Sequence, residues 1–348
     1  MVSKVERPLA IRFGAFGDMV LLTALIRILH AEFGLPVDIL TSGPWSEPLL
    51  RGQPGVGEIF RVRSRKTPYW LSWDQRRVVR QLRARGSGPA WFCDGGDVGR
   101  LILTRAGYSD ALIVYARDHA LLPGEHATEQ WRRLAQIMPS AYQGSKIADP
   151  SAVPPGCYLE VGAAQRADLE TWLGARNLAG VPLILVQIGN KRTMRRGLKR
   201  LSPNNKYWPG ERWAEVLRSL RARHPLHAIV LLGTGPEYEL NAEVAAQANI
   251  AGLHNAADDL PIPRLLALLE RADGLITVDS GPAHAAAAVG CPQVVLFGRA
   301  PPSLYRPWGV AGADVQLLRG EIDGEPDMLG IETRSVIAAW ANLKMRAA

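Results

Sequence analysis

Two aspartates stand where a carboxylate can do chemistry. Asp18 closes the turn Gly14-Ala15-Phe16-Gly17-Asp18 after an apolar segment at 9–13, and Asp279 opens the turn Asp279-Ser280-Gly281-Pro282-Ala283-His284 after another at 274–278. A carboxylate at the start of a helix either caps that helix or takes the proton of a hydroxyl brought to it. In the second turn Ser280 suits an N-cap and Pro282 the first helical turn, so exposed N–H groups and the helix dipole offer a place for an anion such as a diphosphate. A well-capped helix with no ligand explains that segment equally well. The glycine turn before Asp18 is neither a dinucleotide fingerprint nor a P-loop.

Positive charge marks the next candidates. Residues 187–206 carry Lys191, Arg192, Arg195, Arg196, Lys199, Arg200 and Lys206 with no acidic residue. Solvated faces mix signs, so a phosphate-rich ligand accounts for this run better than simple exposure does, with a disordered basic loop as the plain alternative. Gly189 and Asn190 lie at its start, and Lys206-Tyr207-Trp208-Pro209 closes it. Gly233-Thr234-Gly235-Pro236-Glu237 follows a further strand-like segment; it is either a structural turn or a place for a nucleoside, with Glu237 on the ribose hydroxyls. In the first half Arg61, Arg63, Arg65 and Lys66, then Arg76, Arg77, Arg80, Arg83 and Arg85, are interleaved with Tyr69, Trp70 and Trp73. Arginine beside Trp and Tyr suits an anionic lipid surface. Single-stranded nucleic acid uses the same chemistry, but no nucleic-acid-binding signature accompanies these residues. An ordinary solvated helix face is the remaining alternative.

These positions need a scaffold. The 348 residues, 47% hydrophobic and 21% charged, suit a two-domain globular chain and exclude disorder, collagen and a pure coiled coil. Lys and Arg number 41 against 33 Asp and Glu, a net charge of +8 that calls for an anionic partner. Cys93, Cys157 and Cys291 lie too far apart in sequence for a metal clip or a disulfide framework, so a reducing, cytoplasmic setting is expected. Residues 1–8 lack a signal-peptide layout and no apolar run is long enough to span a membrane, which places any membrane contact at the cytoplasmic face.

Strand-like segments at 9–13, 37–40, 59–62 and 90–93 alternate with helical ones at 19–33 and 74–85. After a Pro-, Ser- and Ala-rich stretch at 148–155 the alternation resumes, with strands at 182–186, 228–232, 274–278 and 293–297 and helices at 210–224, 237–248, 263–271 and 282–289. The pattern predicts doubly wound parallel sheets in two Rossmann-like halves, with ligands beyond the carboxyl ends of the strands.

Taken in order, the Ile11-Arg12-Phe13-Gly14-Ala15-Phe16-Gly17-Asp18 opening, Lys206-Tyr207-Trp208-Pro209, and Asp279 to His284 with its alanine-rich helix and Gly290-Cys291-Pro292 resemble the heptosyltransferases of lipopolysaccharide core synthesis, glycosyltransferase family 9. The resemblance runs through most of the chain, to Phe297-Gly298. It implies an α/β fold of the GT-B type, two Rossmann-like domains with parallel sheets facing a central cleft. An acceptor-binding domain is expected over 1–160, a nucleotide-sugar-binding domain over 175–330, and a helix within 331–348 that packs back on the first domain.

The activity implied is inverting, metal-independent transfer of a heptose from ADP-heptose to a lipopolysaccharide core acceptor. Asp18 is then the general base, Lys206 steadies the donor diphosphate, and Asp279 with Ser280, Gly281 and His284 holds donor sugar and phosphates. Gly17, Gly189, Asn190, Lys191 and Glu237 complete the donor side, and Arg61, Arg63, Arg65, Lys66 and Arg100 the acceptor side, where Asp94-Gly95-Gly96-Asp97 also forms a loop. No metal and no cofactor is expected, since the ADP-sugar is a substrate. The partners expected are that donor, an anionic glycolipid and the inner membrane's cytoplasmic face, with no nucleic acid. A transferase using another sugar nucleotide or acceptor, a nucleotide-sugar epimerase of the same fold and a non-catalytic binding module are the rivals. The epimerase needs further acid/base groups, for which His119, His126 and His284 are available, and the module leaves both aspartate turns unmotivated.

Overall fold

The computed structural model describes residues 6–142, 150–190, 193 and 206–346, and the chain divides into two units, Met1–Glu160 and Val161–Ala348. In the first unit, strands β1 (Leu9–Arg12), β2 (Val37–Ser42), β3 (Val56–Val62), β4 (Ala90–Phe92) and β5 (Ile113–Tyr115) form a sheet of order β3-β2-β1-β4-β5. Every pairing in it is parallel. Helices α1 (Phe16–Phe33), α2 (Ser46–Leu50), α3 (Trp73–Arg85), α4 (Asp97–Ala106) and α5 (Ala127–Ala135) alternate with the strands. Helix α1 buries ten residues from Met19 to Leu29 and stops at Gly34, whose left-handed φ of 62° lets its N–H reach the His30 carbonyl.

Asp38 on β2 is a charged residue that is fully buried within this sheet. Its carboxylate accepts from Arg85 Nε at 2.6 Å and from the Glu58 N–H at 2.8 Å, and Arg7 approaches to 3.4 Å. Arg85 also donates to the Tyr108 hydroxyl at 2.7 Å. The sequence reading that placed Arg85 in a lipid-facing basic surface is therefore corrected: its side chain is 7% exposed, because a buried carboxylate needs a counter-charge beside it.

The second unit carries β6 (Leu183–Gln187), β7 (Ala228–Leu231), β8 (Leu253–Asn255), β9 (Gly274–Val278), β10 (Gln293–Phe297) and β11 (Val315–Arg319) in the order β11-β10-β9-β6-β7-β8, again wholly parallel. A small antiparallel pair, β12 (Glu321–Ile322) and β13 (Glu325–Pro326), follows. The helices are α6 (Ala163–Gly174), α7 (Gly210–Arg223), α8 (Tyr238–Ala248), α9 (Ile262–Arg271), α10 (Gly281–Ala288), α11 (Pro302–Tyr305) and α12 (Thr333–Asn342). Strands β6, β9 and β10 are buried throughout, as parallel strands covered on both faces must be. Five of the eight residues of α10 are alanine and six of the eight are buried, which lets its backbone lie close on the sheet.

Helix α12 packs into the core of the second unit. Val336 and Trp340 are buried in one cluster with Trp213, Leu217 and Ile276. A β-carbon on Gly274 would sit 2.8 Å from the Trp340 ring, so a glycine at the start of β9 makes the seat for that indole. Trp340 Nε1 donates to His224 Nε2 at 2.9 Å, just past the end of α7.

That bond requires a neutral imidazole, and burial, reinforced by His227 and Arg223, pushes the His224 pKa below its ordinary value. A lowered folded value means the stabilisation is complete above the unfolded imidazole's pKa, about 6.5, and is lost as pH falls through the folded one. Trp340→Phe should therefore lower unfolding free energy at neutral pH by about 1 kcal/mol or more and flatten the decline between roughly pH 7 and 5. Urea titrations across that window check it, and identical slopes for both proteins would dismiss the bond as a pH-sensitive contact.

Candidate active site

In the first unit the chain leaves β1 at Arg12, turns through Phe13 to Ala15 and enters α1, placing Gly17 and Asp18 in its first turn. Asp18 Oδ2 accepts from the Ala15 N–H at 2.7 Å, and Oδ1 from Arg12 Nη2 at 2.9 Å. Asp18 thus does cap its helix, as the plainer reading held, while each oxygen keeps a second lone pair for a further proton or donor. Arg12 is itself held by the Cys93 carbonyl. Asp94 ties the turn to β4: its Oδ2 accepts from the Phe13 N–H at 2.9 Å and its Oδ1 from the Gly96 N–H at 2.8 Å. Asp94 therefore pins the turn that carries Asp18. Gly14 is required by proximity, since a β-carbon there would lie 2.3 Å from that of Asp18.

The five predicted acceptor cations divide. The Arg65 guanidinium lies 5.9 Å over the Phe13 ring, which brings it to the Asp18 turn. Arg61 is half-buried one residue before the end of β3, and Arg63 and Lys66 are exposed beyond it. Arg100 turns instead to the Tyr115 ring and to Asp110, 3.7 Å away. Beside this group Trp70, Leu71 and Trp73 are 71%, 54% and 77% exposed, and Arg76 stacks on Trp73 at 4.6 Å.

In the second unit the candidates gather at the carboxyl ends of β6, β7 and β9. Trp208 is buried edge-on against Trp213 and donates from Nε1 to the Ile331 carbonyl at 3.0 Å, which fixes the chain two residues after Lys206. Lys206 has a left-handed φ of 61°, a conformation uncommon for a side-chain-bearing residue. Its ammonium donates to the Asp279 carbonyl and, at 2.6 Å, to Asp279 Oδ2. The two residues expected on diphosphate and sugar are thus paired with each other, and the ammonium has a third N–H to give.

Asp279 is 6% exposed and His284, on the inner face of α10, 7% exposed. Gly281 opens that helix. Ser280, expected as its N-cap, is corrected: its hydroxyl makes no cap bond and donates to Gln187 Oε1 at 2.8 Å. The local reason is a competing acceptor at the end of β6 that also takes Thr277 Oγ1 at 2.9 Å.

Gly189 is buried against Thr193 and Leu240, whose side chains a β-carbon would meet at 2.8 and 2.9 Å. Thr193 closes that loop, its hydroxyl accepting from the Asn190 N–H at 2.9 Å. Lys191 and the arginines 192 to 200 lie outside the described residues. Glu237 Oε2 accepts from the Thr234 N–H and hydroxyl at 2.9 and 2.7 Å, a reciprocal cap of the following turn. Its Oε1 is buried with no hydrogen-bond partner among the described residues, and burial pushes the carboxyl pKa up.

Arg12, Gln187 and Thr193 were missed as site residues, and Asp94, read only as part of an acceptor-side loop, holds the Asp18 turn; Gln187, a polar residue closing a wholly apolar strand, was the readable signal among them. Among the described residues no group of three His, Cys, Asp or Glu side chains is arranged to hold a metal ion. The three thiols are buried, with pKa values pushed up to about 12, about 11 and about 12 for Cys93, Cys157 and Cys291.

Residues 192–321, which take in Lys206, Glu237 and the Asp279 turn, match glycosyltransferase family 9 (heptosyltransferase). The chain is a glycosyltransferase, similar to family 9 over these residues. It is 24% identical to lipopolysaccharide heptosyltransferase 2 of Salmonella typhimurium over 87% of this chain and 86% of that one. The glycosyl transferase family 9 structure from Veillonella parvula superimposes with a TM-score of 0.77 at 18% identity, covering 99% of this chain and 98% of that one. The Escherichia coli ADP-heptose lipopolysaccharide heptosyltransferase II does so with 0.72 at 20% identity over 97% and 98%. The glycosyltransferase's fold is of the GT-B type, two α/β units each built on a parallel sheet.

In this glycosyltransferase Gly14→Ala should push Asp18 off the Ala15 N–H and lower the unfolding free energy by about 1–3 kcal/mol, the scale of an overpacking substitution. Thermal melts check the cost, and an unshifted midpoint would mean the α1 entrance yields freely.

Proposed function

We propose that this glycosyltransferase is an inverting heptosyltransferase that moves a heptose from ADP-heptose to a lipopolysaccharide core acceptor, with Asp18 as general base and no metal or cofactor. The observation that carries this reading is the second unit's set of groups for a nucleotide sugar: the Lys206 ammonium, the uncapped start of α10 and the orphaned Glu237 Oε1, all within the family match. Two of the named relatives are heptosyltransferases, one of them an ADP-heptose enzyme.

In this reading the acceptor hydroxyl attacks the anomeric carbon from the face opposite the diphosphate. Its proton passes to Asp18, which Arg12 and the Ala15 N–H hold in place. The anomeric carbon–oxygen bond to the diphosphate breaks, and its electron pair leaves on ADP. Lys206 and the N–H groups at the start of α10 stabilise that developing charge. Asp279 and His284 flank the donor, Gly17, Gly189 and Asn190 let it approach the backbone, and Glu237 Oε1 accepts from a ribose hydroxyl. A mass gain of one heptose on truncated lipopolysaccharide incubated with ADP-heptose is the expected result. An epimerised donor recovered without acceptor would replace this reading with the epimerase.

Asp18→Asn should lower kcat by roughly 10²–10⁴, the usual worth of a general base, and leave the donor Kd within about twofold because the charged groups proposed to hold the donor belong to the second unit. Steady-state rates and calorimetry of ADP check it, and unchanged turnover would return Asp18 to the role of a helix cap.

The acceptor reading extends to peripheral association with the cytoplasmic face of the inner membrane. Arg61, Arg63, Arg65 and Lys66 would face acceptor and lipid phosphates while Trp70, Leu71 and Trp73 enter the headgroup layer. No helix among the described residues is long and apolar enough to cross a membrane. Replacing Trp70 and Trp73 by Ser should weaken binding to phosphatidylglycerol-rich vesicles roughly tenfold, since burying one large apolar side chain is worth about 1.5–3 kcal/mol. Cosedimentation checks it; equal binding of both proteins would assign these rings to solvent.

A further inference from the structure

The end of β6 carries a side chain that belongs neither to the hydrophobic core nor to any expected donor contact. Gln187 is 4% exposed, and its Oε1 accepts two hydroxyl hydrogen bonds, from Thr277 Oγ1 at 2.9 Å and from Ser280 Oγ at 2.8 Å. Thr277 has a second acceptor in the Val278 carbonyl at 2.9 Å. Ser280 is in the extended conformation that an N-cap residue adopts, φ −154° and ψ 172°, yet makes no cap bond. Of the first residues of α10, Pro282 has no N–H, so the Ala283 N–H at the third position is the donor a Ser280 cap would consume.

We propose that Gln187 is a positioning residue that holds the Ser280 hydroxyl away from α10 and so keeps the Ala283 N–H open for an anionic ligand. The inference rests on the donor reading in naming that ligand as the diphosphate of the nucleotide sugar. Serine is among the better N-caps, and once its tether to Gln187 is cut the Ser280 side chain can rotate so that its oxygen accepts from an unsatisfied helix N–H, while its proton turns to the Thr277 hydroxyl 3.4 Å away or to solvent. Gln187 removes that choice by offering a buried acceptor within reach. An open helix end is worth more to a ligand than one already capped, because a ligand meeting a capped end must first displace the cap.

Gln187→Leu keeps the volume and deletes the acceptor, so Ser280 is expected to swing onto Ala283. In the ligand-free protein, amide hydrogen exchange at Ala283 should slow in Gln187→Leu and return to the wild-type rate in Gln187→Leu/Ser280→Ala. ADP should bind Gln187→Leu about five- to tenfold more weakly than wild type, the factor a helix N-cap is worth, and the double variant should regain most of that loss. Thr277→Val, which removes the other hydroxyl from Gln187, should hold ADP within about twofold of wild type. Unchanged Ala283 exchange in Gln187→Leu overturns the inference. So does a double variant as weak as the single one, or a Thr277→Val loss equal to that of Gln187→Leu, since either would reduce Gln187 to packing. Wild-type protein that binds no ADP overturns the donor reading instead, and the exchange rates still decide the role of Gln187.

Discussion

Strands covered on both faces can carry almost no polar side chains along their length, so both units collect their chemistry at strand ends. The constraint is severe enough that the exceptions are compensated in full: Asp38 on β2 draws in Arg85, Arg7 and the Glu58 N–H. At the carboxyl ends it works in the other direction. Arg12 ends β1 and Gln187 ends β6, while Asp279 follows β9, and each organises a neighbour: Asp18, Ser280 and Lys206. The candidate site is a set of polar pairs whose members are anchored by the last turn of a sheet strand.

Anchoring of this kind explains why glycine and alanine recur around it. Gly14 and Gly189 are places where a β-carbon would collide with Asp18 or with Thr193 and Leu240. The alanines of α10 let the helix that starts at Gly281 lie against β9 and β10. Lys206 shows the complementary device: Trp208 is locked into the core, and the backbone before it takes a left-handed turn that delivers the ammonium to Asp279.

Much of this was legible in the sequence, and for physical reasons. Apolar runs such as Leu9 to Ile11 and Leu183 to Val186 read directly as buried parallel strands, and both aspartate turns stand where such runs end. Strands β5, β8 and β11 were not seen: β5 and β8 have three residues each, and β8 and β11 are only partly buried and lack a sustained apolar run. Charge misled where burial was invisible. Arg85 reads like its neighbours in a basic stretch, and only the partner Asp38, far along the chain, makes it a core residue. Ser280 misled because a cap is predicted from its own turn, whereas the competing acceptor comes from another strand. The seat of Trp340 was not legible either, because the space over Gly274 is made by a residue that lies far before it in the chain.

That seat has a consequence for how the chain is made. The first unit is complete by Glu160 and can close while later residues are still being synthesised. The second begins its sheet at β6 but covers one side of it with Val336 and Trp340, so its core stays open until nearly the whole described chain has emerged. During that interval Ile184, Ile276 and Trp213 lack one wall, and the nascent second unit is the part of the molecule that most needs protection from association with other chains.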